Sequence, residues 1–186
     1  MTAPVAVETV VRDTRDWLER AVIGLNLCPF AKAVHVKNQV HYAVSGAVHP
    51  RQLLDDLAVE VEGLLAQDAA VRETTLLIVP GCLGNFLDFN DFLAQAERWV
   101  RKRRLGGVIQ LASFHPHYQF AGTEADDVAN FTNRSPYPTI HLLREASIDR
   151  AVEAFPNPEA IYEANIQTLR RLGRKGWESL QLGPRR

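Results

Sequence analysis

The stretch Ser113-Phe-His-Pro-His-Tyr-Gln-Phe-Ala-Gly122, followed closely by Asn130-Phe-Thr-Asn-Arg-Ser-Pro-Tyr-Pro138, holds the densest group of side chains able to do chemistry. His115 and His117 flank a proline. In an extended backbone, residues two apart point the same way, so both imidazoles would face one ligand. An unperturbed imidazole titrates near neutrality, which suits a general acid–base pair. Two further uses compete: metal chelation with a third ligand from Asp126, Asp127 or His141, and structural bonds to loop carbonyls. No metal ligand set is assigned, because a His-x-His pair without a fixed third ligand is a frequent accident. Asn133, Arg134 and Ser135 place an amide, a guanidinium and a hydroxyl in sequence. That set suits a carboxylate or phosphate, which arginine binds through two parallel hydrogen bonds. The competing role for Arg134 is an ion pair with Asp126 or Asp127 that fixes the loop. Pro136 and Pro138 stiffen the segment and lower the entropy lost on binding.

Cys28 lies in Gly24-Leu-Asn-Leu-Cys-Pro-Phe-Ala-Lys32. It is either a small buried hydrophobe or a nucleophile activated by Lys32 or His35. The end of a helix, where Cys28 is expected, raises a thiol pKa instead of lowering it. Gly81 belongs to the loop Pro80-Gly-Cys-Leu-Gly-Asn85, whose backbone can approach a ligand closely. No lysine followed by serine or threonine completes a phosphate-binding loop there, and no dinucleotide fingerprint, nucleophile elbow or zinc-protease helix occurs. Nothing in these patterns names a cofactor.

The elements that must position these residues follow from hydrophobic spacing. Val7, Val10, Val11, Trp17, Leu18, Ala21, Val22 and Leu25 recur at intervals of three and four, which predicts a helix over about 5–25 ended by Pro29. Alternation from Val34 to Val44 predicts a half-wet strand or a hairpin turning near 37–39. A helix opened by Pro50 presents Leu53, Leu57, Val61 and Leu64, and Thr75-Leu-Leu-Ile-Val79 is apolar on both faces, as a covered strand requires. A helix capped by Asn90 turns Phe92, Ala96 and Val100 inward and stops at Gly106-Gly107. Strands follow at 108–114 and 139–143, then a helix over about 158–172 and a loosely ordered tail from 173, which Trp177 could tie down. Alternating strands and helices predict a single α/β layered domain over 1–186, with a mixed sheet of four or five strands covered by helices. In such sheets, loops at the carboxyl ends of parallel strands converge, which would bring Gly81 beside His115, His117, Asn133 and Arg134. Cys28 joins them only if the strand after it is antiparallel or a hairpin. A single long parallel strand would hold it about 30 Å away.

With 46% apolar and 23% charged residues the chain can build an ordinary globular core. Its net charge of −1 argues against nucleic acid or an anionic membrane as partner. The basic runs Arg101-Lys-Arg-Arg104 and Arg170-Arg171 read as solvated helix ends. The first residues lack the basic and apolar regions of an export signal, so a cytoplasmic location with Cys28 and Cys82 as reduced thiols is expected.

The segments Gly24-Leu-Asn-Leu-Cys-Pro-Phe-Ala31, Ser113-Phe-His-Pro-His-Tyr-Gln-Phe-Ala-Gly122 and Asn133-Arg-Ser-Pro-Tyr-Pro138 with His141-Leu-Leu-Arg144 resemble a mainly bacterial family catalogued as a domain of unknown function, number fourteen-fifteen. The resemblance covers nearly the whole chain and brings no activity or cofactor with it. It implies that Cys28, His115, His117, Asn133 and Arg134 lie in the stretches that mark such proteins. Taken together, the residues predict an enzyme acting on a small anionic metabolite by hydrolysis or group transfer. His115 and His117 would move protons, Cys28 would serve as nucleophile or pocket wall, and Asn133, Arg134, Ser135 and Gly81 would hold the substrate. The alternatives are a non-catalytic protein that binds a small anion or metal, and a scaffold whose loop is simply rigid.

Overall fold

In a computed structural model that describes residues 5–154 and 157–184, the strands β1 (Val40–Val44), β2 (Thr74–Ile78), β3 (Ile109–Phe114) and β4 (Thr139–Arg144) form one sheet in the order β1-β2-β4-β3. β1 and β2 are parallel, and β4 runs antiparallel to both β2 and β3, so β1, β2 and β3 all point the same way. The helices α3 (Pro50–Ala66) and α4 (Phe86–Lys102) supply the crossovers that parallel strands need. β4 then returns through the gap between β2 and β3. Every residue of the central β2 is buried, which is why it is an unbroken apolar run from Leu76 to Ile78.

The two-residue pleat divides the core. Leu77, Ile140 and Leu142 face α3 and α4, where they meet Leu53, Leu57, Val61, Phe89 and Phe92. Leu76 and Ile78 face the other way, towards α1 (Val7–Trp17) and the π-helical turn Leu18–Ile23 that continues it. On this second face the 22-residue helix α6 (Pro158–Ser179) packs Leu169 against Leu27 and Phe131. Gly81 marks where the loops after β1 and β2 cross, since a Cβ there would lie 2.7 Å from the Ala47 carbonyl oxygen.

Several elements differ from the sequence expectation. The alternation from Val34 is not one strand: Ala31–Val36 is the short helix α2, and β1 begins only at Val40, after Asn38 turns the chain with φ 56°. Asn85 rather than Asn90 caps α4, accepting from the main-chain N–H groups of Leu87 (2.8 Å) and Asp88 (3.3 Å). A further helix, α5 (Glu145–Ala154), lies between β4 and α6, where the sequence reading has no element. Residues beyond 172 are not a loose tail but a continuation of α6 across Gly173, whose φ of 65° allows the kink. Arg170 and Arg171 therefore sit within α6 instead of at its end, whereas Arg101 and Lys102 do close α4. No helix among the described residues is long and apolar enough to cross a membrane.

Trp177 holds the end of α6 down by stacking on Phe131, with ring centres 4.9 Å apart and planes inclined by 23°. Replacing it by alanine is expected to lower stability by about 2 kcal/mol, less than a fully buried tryptophan would because Trp177 is only half-buried. Urea unfolding of Trp177→Ala against the parent measures this.

Candidate functional site

The loop residues that drew attention in the sequence are assembled at the carboxyl ends of β2 and β3, as the crossover topology requires. His115 is fully buried, 5.3 Å from the Phe86 ring and 5.1 Å from the Phe89 ring, centre to centre. Its Nδ1 lies 3.0 Å from the main-chain nitrogen of His117, and its Nε2 lies 3.0 Å from the carbonyl oxygen of Leu83. A main-chain N–H can only donate, so Nδ1 is the acceptor and Nε2 carries the proton that Leu83 receives. Both ring nitrogens are thereby occupied by backbone. Burial lowers the His115 pKa, and the His117 charge adds to this against the Leu83 bond. The extended geometry that would aim both imidazoles at one ligand does not occur. Tyr118 N–H donates to the His115 carbonyl (3.1 Å), closing a turn at Pro116 that leaves His117 exposed. His115 therefore joins the loop after β2 to the loop after β3.

Arg134 serves the same end. Its Nε donates to the Tyr118 carbonyl (3.2 Å) and its Nη2 to that of Ala125 (2.7 Å), so it pins the loop through main-chain oxygens and not through Asp126 or Asp127. The Asp127 carboxylate instead caps the 3-10 helix Val128–Asn133, accepting from Ala129 N–H at 2.9 Å. Asn133 Nδ2 donates to the Ser113 carbonyl (3.2 Å), while its own carbonyl accepts from His115 N–H (3.1 Å). The Ser135 hydroxyl, buried, donates to the Tyr137 carbonyl at 2.6 Å. Trp17 on α1 locks this edge to the helical layer by donating its indole N–H to the Arg134 carbonyl at 2.8 Å.

Cys28 is on the other face of the sheet, packed with the helical cluster around Trp17 and Val22. The stretch after Cys28 is neither one long parallel strand nor a hairpin but α2, a turn and the short β1. Cys28 packs on the Trp17 and Leu76 face, while His115 packs on the Phe86 and Phe89 face. The cysteine lines a cavity of about 330 Å³ between the sheet and α2, the π turn and α5. Leu18 and Val22 of the π turn, Ala31 and Val34 of α2, and Ile148, Ala151 and Val152 of α5 form its walls. Leu76, Phe114 and His141 form its floor. The spacing of 148, 151 and 152 is a helical signal, and it is the feature of the sequence that could have disclosed this wall.

The polar groups of the cavity are few and mostly engaged elsewhere. Arg144 Nη2 donates to the carbonyls of Leu64 (2.7 Å), Gln67 (2.7 Å) and Arg72 (3.0 Å). Glu73 pairs with Arg150 at 3.3 Å, and Ser147 accepts from the same arginine at 2.9 Å. His141 remains. Its Nε2 lies 2.6 Å from Thr74 Oγ1, whose hydroxyl hydrogen is given to the Leu142 carbonyl at 2.7 Å. The imidazole must therefore donate from Nε2, which leaves Nδ1 unprotonated, and no described residue donates to it. Burial drives the His141 pKa down to about 4, so the ring is neutral at pH 7. Although the ring is partly accessible, it opens onto this carbon-lined cavity and loses hydration as a buried group does. His141 also projects to the face away from His115, so the two cannot share a metal. Among the described residues no group of three or more His, Cys, Asp or Glu side chains is arranged to hold one.

The molecule is thus an α/β domain with a rigid, backbone-bonded loop at one sheet edge and a histidine-floored apolar cavity under its N-terminal helices. The chain belongs to the family described as "Protein of unknown function (DUF1415)", whose model matches residues 9–179. No curated protein and no solved structure matches the chain.

His115→Ala would strand the Leu83 carbonyl and the His117 N–H and open a void, and a loss of about 3 kcal/mol or more is expected in urea unfolding. His117→Ala, at an exposed ring, should change stability by less than about 0.5 kcal/mol. The pH dependence follows from His141, which protonates near 4 in the folded chain against 6.5 as its ordinary value. Between these limits the unfolded chain holds more protons, so stability is full above pH 6.5 and falls as pH drops towards 4. His141 alone contributes about 3 kcal/mol to that fall, and His115, also lowered by burial, acts in the same direction. Urea midpoints at several pH values for the parent and His141→Asn measure the slope, which should flatten in the variant.

Proposed function

We propose that this protein binds a small, largely apolar molecule carrying one hydrogen-bond donor, held in the cavity between the sheet and the helices α2 and α5. The observation that carries this reading is the cavity itself. Its volume of about 330 Å³ is in the range of small-molecule sites, and its lining is largely apolar, with His141 keeping an Nδ1 acceptor to which no described residue donates. The relay from His141 through Thr74 to the Leu142 carbonyl fixes the tautomer that offers this acceptor. In this reading the protein acts in the cytoplasm with Cys28 and Cys82 as free thiols.

Binding is better supported than proton transfer. An imidazole held near pH 4 is a weak base at neutrality. A thiolate–imidazolium pair between Cys28 and His141 would place two charges in a carbon-lined space, which opposes nucleophilic activation. Cys28 is then a wall of the pocket. An enzyme working on a small anion through His115 and His117 draws less support, because His115 spends both ring nitrogens on a loop carbonyl and a main-chain N–H. The rigid-loop alternative accounts for those bonds.

The test is titration with N-phenyl-1-naphthylamine, an apolar fluorophore with a single N–H donor. Saturable one-to-one enhancement is expected, together with slower alkylation of Cys28 in the occupied protein. Ala151→Phe should fill the cavity from α5 and weaken binding by at least about tenfold while the circular dichroism stays unchanged. His141→Phe should cost about fivefold for this probe, one net hydrogen bond, and little for a probe lacking the donor. Equal binding by the parent and Ala151→Phe would refute the assignment.

A further inference from the structure

Between the loop that follows β3 and the end of α6 lies a second cavity, of about 260 Å³, which Arg134 and Arg174 both line. Their guanidinium carbons stand 4.9 and 5.6 Å from the centre of the Phe131 ring, so two positive charges share one buried aromatic side chain. Every hydrogen bond either arginine makes goes to a neutral main-chain oxygen: Tyr118 and Ala125 for Arg134, and Asp126 (3.1 Å) for Arg174. Among the described residues no carboxylate lies within ion-pair distance of either guanidinium. Glu178 lines the same cavity but is exposed and pairs with neither. Nη1 of both arginines, and Nε of Arg174, keep hydrogens that no described residue accepts.

Like charges held this close are costly when water is partly excluded. Burial, and the Arg174 charge after it, lower the pKa of Arg134, which reports the same unmet demand for a counter-charge. Aligned guanidinium donors recognise the paired oxygens of a carboxylate or phosphate. We infer that this cavity is an oxyanion site, in which Arg134, already fixed by the loop, and Arg174, brought in by the kinked end of α6, jointly bind the phosphate or carboxylate group of a small molecule. Arg134 supplies the loop's half of the site and Arg174 the half contributed by α6, so anion binding reinforces the junction that Trp177 and Phe131 already make. The inference stands apart from the apolar cavity and does not need it to be occupied, although Trp17 lines both.

Inorganic phosphate and succinate are the probes, each compared with sodium chloride at equal ionic strength, with thermal unfolding and calorimetric titration as readouts. At least one oxyanion should raise the melting temperature of the parent protein in a saturable way. Arg134 also holds two loop carbonyls, so its removal risks the fold. The decisive variant is Arg174→Gln, at an exposed position with a single backbone bond. It should keep the parent's circular dichroism and its N-phenyl-1-naphthylamine binding, yet bind the responding anion at least about tenfold more weakly. Arg174→Lys, which retains the charge and loses the fork, should fall between the two. A response to phosphate alone, or to succinate alone, assigns the oxyanion and upholds the site. If neither anion exceeds chloride, or if Arg174→Gln binds as tightly as the parent, the inference is overturned.

Discussion

A strand running against its two neighbours is the constraint on which this molecule depends. β4 lies antiparallel between β2 and β3, hydrogen-bonded to both, and with a pleat of two it must send alternate residues to opposite layers. Ile140 and Leu142 go to α3 and α4, while His141 goes to the face under α1 and the π turn. Its registered neighbours on that face are Leu76 and Ala112, and Phe114 lies close by with ring centres 6.0 Å apart. A histidine at the middle of a covered sheet then has one inexpensive state, the neutral ring donating to Thr74, and the cavity above it inherits a fixed acceptor.

The same insertion organises the opposite edge. Because β4 begins where β2 and β3 end, its entry segment must pass between the two carboxyl-terminal loops, and Val79 N–H donates to the Pro138 carbonyl at 2.8 Å as it does so. The loop is long, polar and partly buried, so its main-chain groups need partners from side chains. His115, Asn133, Arg134 and Ser135 supply them, each through bonds to the backbone. Residue types that often do chemistry here replace the ladder that a loop lacks. What they leave over is positive charge, because main-chain oxygens satisfy guanidinium hydrogens without neutralising them.

Much of the framework was legible in the primary structure, and the failures have definite causes. The helices α3 and α4 and the buried β2 follow from apolar spacing strong enough to withstand tertiary context. The convergence of the loops after β2 and β3 followed from crossover topology and is realised in the contact between Leu83 and His115. The segment 34–39 misled because valines two apart suit a strand, yet six residues of helix and a turn at Asn38 place the same valines at the mouth of β1. His115 and His117 do lie near each other, with ring centres 5.9 Å apart, but through the turn at Pro116 and not through an extended strand, and both ring nitrogens of His115 are taken by backbone. Cys28 stands out in the sequence, and the fold places it with His141 on the lining of one cavity.

By itself the amino-acid order determined which residues are apolar at helical or strand spacing, and hence the α/β layering, the crossovers and the edge at which the loops gather. Those properties are local or periodic, and periodicity survives without coordinates. Which face each strand residue meets, which histidine is spent on backbone and which is left with a free acceptor, and which arginines lack a counter-charge were decided only in three dimensions. Each depends on groups brought together by the fold, Thr74 for His141, Leu83 for His115 and the Phe131 ring for Arg134 and Arg174, and on the removal of water when they meet.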